Sequence, residues 1–398
     1  MARLAIVATH PIQYHVPWYQ YLVREPGLSI RVFYLWDFGV TEQVDSTGFQ
    51  RAFKWDVPLL AGYEFEFVPN RSARPGTSHF WGLRNPGLLA CVSRFEPDAV
   101  LLSGYNFASL MNFVWRWDRG TAPLLFRGDS HRLLPGSGFK EWLRRKAIAA
   151  VFRRFSGFLY VGRANHDYFR MHGVDPDTLF FAPHAVDNAR FIEGAEAGRR
   201  DALAWKRELG IPEGNRVVLF AGKFEAKKRP LDLLRAFLQA GIEGVSLLFV
   251  GSGPLEQELR ELAKGKASVR FAPFQNQSLM PRTYGIADVF VLPSYGSGET
   301  WGLAVNEAMC LSLPIIASSH VGCVADLVHH KGNGLVFPAG DVDALAGCLR
   351  EAFADTSRLR AWGESSRQII DGYSYRQVTE GLLLALKHCG VEVNTSPA

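Results

Sequence analysis

The sequence has no apolar run approaching the roughly 18 residues that a membrane-spanning helix needs, which excludes a helical bilayer crossing. It has no short-period repeat and no low-complexity tract, which excludes solenoids, collagens and disordered chains. Cysteine is scarce: Cys91, Cys310, Cys323, Cys348 and Cys389 are odd in number, scattered, and include no Cys-x-x-Cys pair. That argues against a disulfide framework or a zinc site and makes a reducing cytosol the expected compartment. The Gly-x4-Gly-Lys-Ser/Thr order of a Walker A loop is missing, and nothing resembles a nucleic-acid reader module. The first ten residues hold one basic residue and a short apolar run that soon meets His10 and Pro11. They read as a first strand rather than a signal peptide.

What is present is a 398-residue chain, 47% hydrophobic and 21% charged, enough apolar material for two or three cores. The net charge of +5 is unevenly spread. Residues 1–190 carry 22 Lys and Arg against 16 Asp and Glu, whereas 191–398 carry 22 against 23. Seven of the ten tryptophans also fall in the first half. Such asymmetry suggests an anionic partner for that half, although solvated faces alone also produce it.

The first half alternates short apolar runs, at 4–9, 30–36, 99–103, 123–127 and 158–162, with helical patterns such as 17–25. Strands separated by helices imply right-handed βαβ units and a parallel sheet. The stretch 41–84, rich in Gly, Pro and aromatics, reads as a loop insertion or short hairpin. The polar stretch 193–201 reads as a linker, after which a second series follows at 216–221, 246–251, 269–273, 288–293 and 314–318. The fold expected is α/β, with two doubly wound parallel-sheet domains facing a cleft. The last eight or so residues are expected to fray.

Open α/β sheets bind ligands beyond the carboxyl ends of their strands, so the loops there matter most. One of them runs Pro293-Ser294-Tyr295-Gly296-Ser297-Gly298-Glu299-Thr300-Trp301-Gly302-Leu303, followed by helix formers and Glu307. Small residues let backbone amides approach a ligand, and a helix N-terminus favours phosphate. Glu299 and Glu307 can both accept hydrogen bonds from sugar or ribose hydroxyls. Taken alone, the segment also fits an N-capping loop with a first-turn acid. A second loop, Gly222-Lys223-Phe224-Glu225-Ala226-Lys227-Lys228-Arg229-Pro230, follows the first strand of the second series. Its Lys223 and Lys228 suit a pyrophosphate, although Lys-Lys-Arg is also a common solvated loop.

Together these residues resemble the retaining glycosyltransferases of family 4, which have the GT-B fold of two Rossmann-like domains. Glu299 and Glu307 match that family's Glu-x7-Glu motif, with Thr300, Trp301, Gly302 and Leu303 between them. Gly222, Lys223 and Lys228 match its phosphate loop, and Gly251-Ser252-Gly253-Pro254-Leu255 its Gly-x-Gly-Pro-Leu turn. Phe271-Ala272-Pro273-Phe274, followed by Tyr284 and Ala287-Asp288-Val289, looks like the nucleobase-side segment, and Pro183-His184-Ala185-Val186-Asp187 resembles the linker signature Pro-Asn-Gly-Val-Asp with two substitutions. The resemblance covers roughly 180–385. It implies an acceptor-binding domain at 1–190, a donor domain at 191–375, and a segment 376–398 whose helix crosses back to the first domain.

The resemblance further implies a hexosyltransferase-like enzyme that moves a sugar from a nucleotide-diphosphate sugar with retention, and without a metal or other cofactor. The phosphates would lie on Lys223, Lys228 and the amides around Gly302, with Gly251, Gly253 and Phe274 also on the donor. Glu307 would hold the ribose and Glu299 the sugar hydroxyls. Metal-dependent transferases use Asp-x-Asp, but Asp341-Val342-Asp343 reads as a helix cap and Asp175-Pro176-Asp177 as a Pro turn.

In the acceptor half, His10-Pro11-Ile12-Gln13 stands where family members usually have a Gly-rich turn. His10, Gln13 and Arg127 are the expected acceptor-side residues. Asp129 and His131, in the loop after another strand, are expected to join Glu299 in catalysis. Segment 139–158 carries six cations against Glu141 among apolar residues, and reads as a core-packed helix with a basic exposed end. The implied acceptor is a glycan or an anionic, lipid-linked molecule of bacterial surface polysaccharide synthesis. The protein would then be cytoplasmic, with peripheral contact between the first domain and the inner face of the membrane. The alternatives are an inverting transferase or nucleotide-sugar epimerase of the same fold, or a non-catalytic protein that binds a nucleotide-sugar or glycan.

Overall fold

The computed structural model describes residues 1–41, 43–44, 52–132 and 138–393. Its strands are β1 (Ala2–Ala8), β2 (Leu28–Tyr34), β3 (Gln43–Val44), β4 (Ala52–Phe53), β5 (Glu64–Phe67), β6 (Ala99–Ser103), β7 (Leu124–Arg127), β8 (Gly157–Tyr160) and β9 (Leu179–Phe181). They continue with β10 (Arg216–Ala221), β11 (Val245–Val250), β12 (Val269–Ala272), β13 (Val289–Leu292), β14 (Ile315–Ser318) and β15 (Gly334–Phe337). The chain divides into two compact units. One comprises Met1–Gln43, Val57–His184 and Tyr375–Ala398; the other comprises Val44–Asp56 and Ala185–Ser374.

The first unit is built on a seven-stranded sheet in the order β5-β2-β1-β6-β7-β8-β9. Its neighbouring strands pair in parallel. Interior strands such as Leu124–Arg127 are buried along their whole length, as parallel strands covered by helices on both faces must be. The closing helix Tyr375–His388 packs on β8 and β9. It is also held by a hydrogen bond from Trp18 Nε1 to Thr379 Oγ1 at 3.1 Å. The core is aromatic: Phe126, Phe152, Phe158 and Phe169 meet at ring distances of 5.2–5.9 Å.

The second unit has six parallel strands in the order β12-β11-β10-β13-β14-β15. Numbered within the unit, this is the 3-2-1-4-5-6 order of a dinucleotide-binding fold. Strand order reverses between β10 and β13, so the crevice for a ligand opens at their carboxyl ends.

The expected strands are present, with five more among the described residues. The stretch 41–84 is not simply irregular: β3 and β4 form a two-stranded sheet, and β5 pairs in parallel with β2. Residues 42 and 45–51 of that stretch lie outside the described residues. The Glu64-Phe65-Glu66-Phe67 strand is four residues long and exposed at the sheet edge, too short and too polar to stand out as a run. β9 and β15 likewise add an outer strand to each sheet.

The polar stretch 193–201 is not a linker. It runs across the helices Asn188–Glu193 and Ala195–Glu208, and the second of these buries only Ala195, Gly198, Ala202 and Trp205. A helix with so narrow a buried stripe has the composition of a loop. The helix Phe139–Phe152 does pack by its C-terminal end, through Ile148, Val151 and Phe152, and leaves its basic first half exposed. Of the tail expected to fray, residues 394–398 lie outside the described residues.

Candidate functional site

The loops after β10, β11 and β13 converge in the second unit. Gly251 N–H donates to Ala272 O, Gly222 N–H to Val250 O, and Phe224 N–H to Ser252 O, tying the first two turns together backbone to backbone. Gly251 has φ +147°, and a Cβ there would lie 2.0 Å from the carbonyl oxygen of Gly222. No side chain fits at that position. Gly253 lies in the same turn against the backbone of Phe224.

The loop after β13 is joined to the Lys loop by a hydrogen bond from Tyr295 N–H to Lys227 O at 2.8 Å. Gly302, at φ +101°, turns this loop into the helix Leu303–Cys310. A Cβ there would press on Val321 at 2.9 Å.

This arrangement brings Lys228 and Glu299 into a nearly buried ion pair, with side chains 17% and 11% exposed. Ser294 Oγ donates to the same Glu299 carboxylate oxygen at 3.0 Å. Burial alone would raise the Glu299 pKa. The Lys228 ammonium, the Ser294 hydroxyl and Lys227 outweigh that effect and hold it below the ordinary value. Glu307, about one turn into the helix, is buried and accepts from Tyr284 Oη at 2.7 Å. Trp301 is buried, donating to Asn306 Oδ1 at 2.8 Å. Thr300 and Leu303 are half-buried beside it, and Lys223 is half-buried at the turn after β10.

Phe274 lies on a different loop, after β12, where its ring is 6.3 Å from that of Trp55. Ser294, Lys227 and Trp55 were not singled out by the sequence. Ser294 and Lys227 sit inside quoted motifs and could have been, whereas Trp55 comes from a remote position. The Asp-x-Asp alternatives are occupied locally: Asp341 caps its helix at Ala344 N–H (2.8 Å) and Asp175 caps a short turn at Asp177 N–H (3.1 Å).

In the first unit the proposed residues also cluster at strand carboxyl ends. Asp129 Oδ2 lies 3.5 Å from His184 Nε2. His184 stacks on His15, centroids 6.3 Å apart and planes within 8°. His131 is buried in the same loop as Asp129. Arg127 is buried, with one donor on Ala182 O (2.7 Å), one on Pro183 O (3.0 Å), and its guanidinium over Trp18. Burial lowers Arg127 to about 10. This geometry makes Arg127 a brace for the chain at 182–183.

His10 is lowered to about 4 by burial, its ring edge-on to Trp36 and Phe38. Gln13 is half-buried in the following loop. His15 is lowered to about 3, first by burial and then by the neighbouring His184 and Arg127.

The switch point of the doubly wound second unit thus gathers a lysine-bearing loop, a Glu-bearing loop and the start of the helix Leu303–Cys310. Residues 201–369, which lie in the second unit, match the family model described as glycosyl transferases group 1. Among curated proteins, the D-inositol 3-phosphate glycosyltransferase of Salinispora arenicola is 30% identical over 54% of this chain and 51% of its own length. The sulfoquinovosyl transferase SQD2 of Arabidopsis thaliana is 30% identical over 81% of this chain and 57% of its own length. The chain thus spans about half the length of the curated relatives it matches. Anabaena HepE, solved in complex with UDP and glucose, superposes with a TM-score of 0.70 at 16% identity, covering 97% of this chain and all of that one. The lipopolysaccharide-biosynthesis glycosyltransferase WaaG gives 0.65 at 17% identity with the same coverage. The chain has the GT-B fold.

Proposed function

We propose that this protein is a retaining, metal-independent glycosyltransferase of family 4 that transfers a sugar from a nucleotide-diphosphate sugar to a glycan or lipid-linked acceptor. The observation that carries the reading is the Lys228–Glu299 pair at the β10/β13 switch point, beside the start of the helix Leu303–Cys310. The sugar hydroxyls displace part of the Glu299 interaction, and Lys228 turns to the diphosphate. A fixed cation and the helix N-terminus then stabilise the charge that grows on the leaving diphosphate. Glu307, held by Tyr284, takes the ribose hydroxyls. Asp129 and His131 serve the acceptor side, with His10 and Gln13. The names of the relatives support this reading, since HepE was solved with UDP and glucose and other relatives are named as glycosyltransferases.

An anionic acceptor at the inner face of the cytoplasmic membrane, in surface polysaccharide synthesis, is supported by the helix Phe139–Phe152. It exposes Phe139, Trp142 and Leu143 beside Lys140, Arg144, Arg145 and Lys146. Among the described residues no helix is long and apolar enough to cross a membrane.

The test is a thermal-shift panel of nucleoside diphosphates and their sugars, followed by NMR of the product with the best donor. Binding raises the midpoint with the logarithm of ligand excess. A product with the donor's anomeric configuration supports retention, and an inverted one overturns it. Unchanged turnover on a pyrophosphate-lipid acceptor after neutralising Arg144, Arg145 and Arg153 would overturn the acceptor assignment.

A further inference from the structure

Residues 54–56 are far in sequence from the rest of the second unit, yet they are bound to its loop after β12 by a dense set of hydrogen bonds. Asn276 Nδ2 donates to Lys54 O at 2.8 Å, and Asp56 N–H donates to Asn276 Oδ1 at 3.4 Å. The Asp56 carboxylate accepts from Ser278 N–H at 3.2 and 3.3 Å and from the Ser278 hydroxyl. Asn276 also accepts from Gln277 N–H at 2.9 Å, so its side chain is fixed on both sides. Between these anchors stands Trp55, half-buried, its ring 6.3 Å from the half-buried Phe274 and tilted 58° to it.

Two large rings, each partly open to solvent, therefore sit at the carboxyl end of the strand that edges the sheet. The cation and carboxylate of the switch point lie at β10 and β13. β12 is two strands from β10, about 10 Å at the usual strand spacing. That is the reach of a ribose between a diphosphate and its base. A ligand whose phosphates lie at Lys223 and Lys228 and whose ribose meets Glu307 has its flat, apolar end at this edge. A tryptophan face binds such a ring whatever its hydrogen-bonding pattern.

We propose that Trp55, held in place by the Asp56 and Asn276 clasp, forms with Phe274 the stacking seat for the nucleobase of the donor. This rests on the nucleotide-sugar reading above and adds a residue that nothing in the donor motifs contains. Asp56 is a positioning residue, and Trp55 is the contact.

The experiment is calorimetric titration of the full chain with UDP, GDP and ADP, and separately with inorganic pyrophosphate, which has no base. Stacking on an aromatic side chain contributes enough to predict about a tenfold weaker nucleoside diphosphate affinity in Trp55→Ala. Pyrophosphate affinity is expected to stay within about twofold, and Trp55→Phe to recover most of the loss. Asp56→Ala is expected to act in the same direction, more weakly, again sparing pyrophosphate. Two results overturn the proposal alone: wild-type nucleotide affinity in Trp55→Ala, or an equal loss of pyrophosphate and nucleotide. A wild-type protein that binds pyrophosphate but no nucleoside diphosphate overturns it together with the donor reading.

Discussion

The ammonium of Lys228 and the carboxylate of Glu299 form an ion pair between two loops of the second unit, with both side chains more than four-fifths buried. A pair removed this far from water is costly to form and costlier to break, because the survivor is left as an isolated charge. Lys228→Met is therefore expected to destabilise the unit by about 3 kcal/mol at neutral pH.

The pH dependence carries the sign of that change. In the wild type the Glu299 carboxyl titrates below its ordinary 4.5, so its contribution is complete above 4.5 and fades as pH falls through the lowered value. Without Lys228 the largest remaining influence is burial, which raises the carboxyl. The variant should then regain stability, relative to wild type, as the pH falls through 4.5. Urea midpoints at pH 7.5 and 4 measure this directly. A constant difference between the two proteins at both pH values would contradict the pairing.

Glu299→Gln keeps the shape of the side chain and the Ser294 contact while removing the charge. On the proposed reading, transfer falls about 100-fold, the size of loss seen when one preorganised charge-stabilising group is removed. Nucleoside diphosphate affinity should change far less, because the diphosphate is held by the lysines and the helix end. Steady-state kinetics beside calorimetry separate the two. Donor hydrolysis that persists unchanged in Glu299→Ala would remove Glu299 from the reaction.

The part of this architecture that follows from local pattern was readable in advance. Buried parallel strands such as Val245–Val250 are continuous apolar runs, and the glycines and acids of the 293–307 loop stand at fixed offsets along one stretch of chain. What was not readable depends on pairings across long separations. Asp129 meets His184 from a distant stretch of chain, and Asp56 clasps Ser278 across 222 positions. Edge strands such as Glu64–Phe67 were missed because one face is in water and four residues give too little period. The supposed linker at 193–201 was misread because a helix burying few side chains is polar in composition.

Gly251 and Gly347 provide a matched pair of substitutions. At Gly251 a methyl group would sit 2.0 Å from a backbone oxygen, on a backbone at φ +147°, so both packing and conformation oppose it. Gly251→Ala should cost about 3 kcal/mol and disorder the turn that meets the loop after β10. Gly347 lies within the helix Val342–Phe353 with nothing within 4 Å of its Cβ position. There alanine should stabilise by about 0.5–1 kcal/mol through helix propensity. Equilibrium urea unfolding of both variants tests whether the tight turn or glycine content in general matters.

His15 and His184 stack face to face, and this fixes how the first unit responds to acid. Burial, reinforced by His184 and Arg127, lowers His15 to about 3, whereas in an unfolded chain it titrates near 6.5. Between those values the unfolded state binds a proton that the folded state refuses, so stability must fall as pH drops from 6.5 toward 3. The slope from this one group is at most about 1.4 kcal/mol per pH unit. Above 6.5 it contributes no slope. His15→Asn removes the titration while keeping a polar side chain of similar reach. The variant should be less stable than wild type at pH 8 through lost ring packing, and the gap should narrow steadily on acidification to pH 4.5. A gap that stays constant across that range would show that His15 titrates alike in the folded and unfolded protein, contrary to its buried, stacked position.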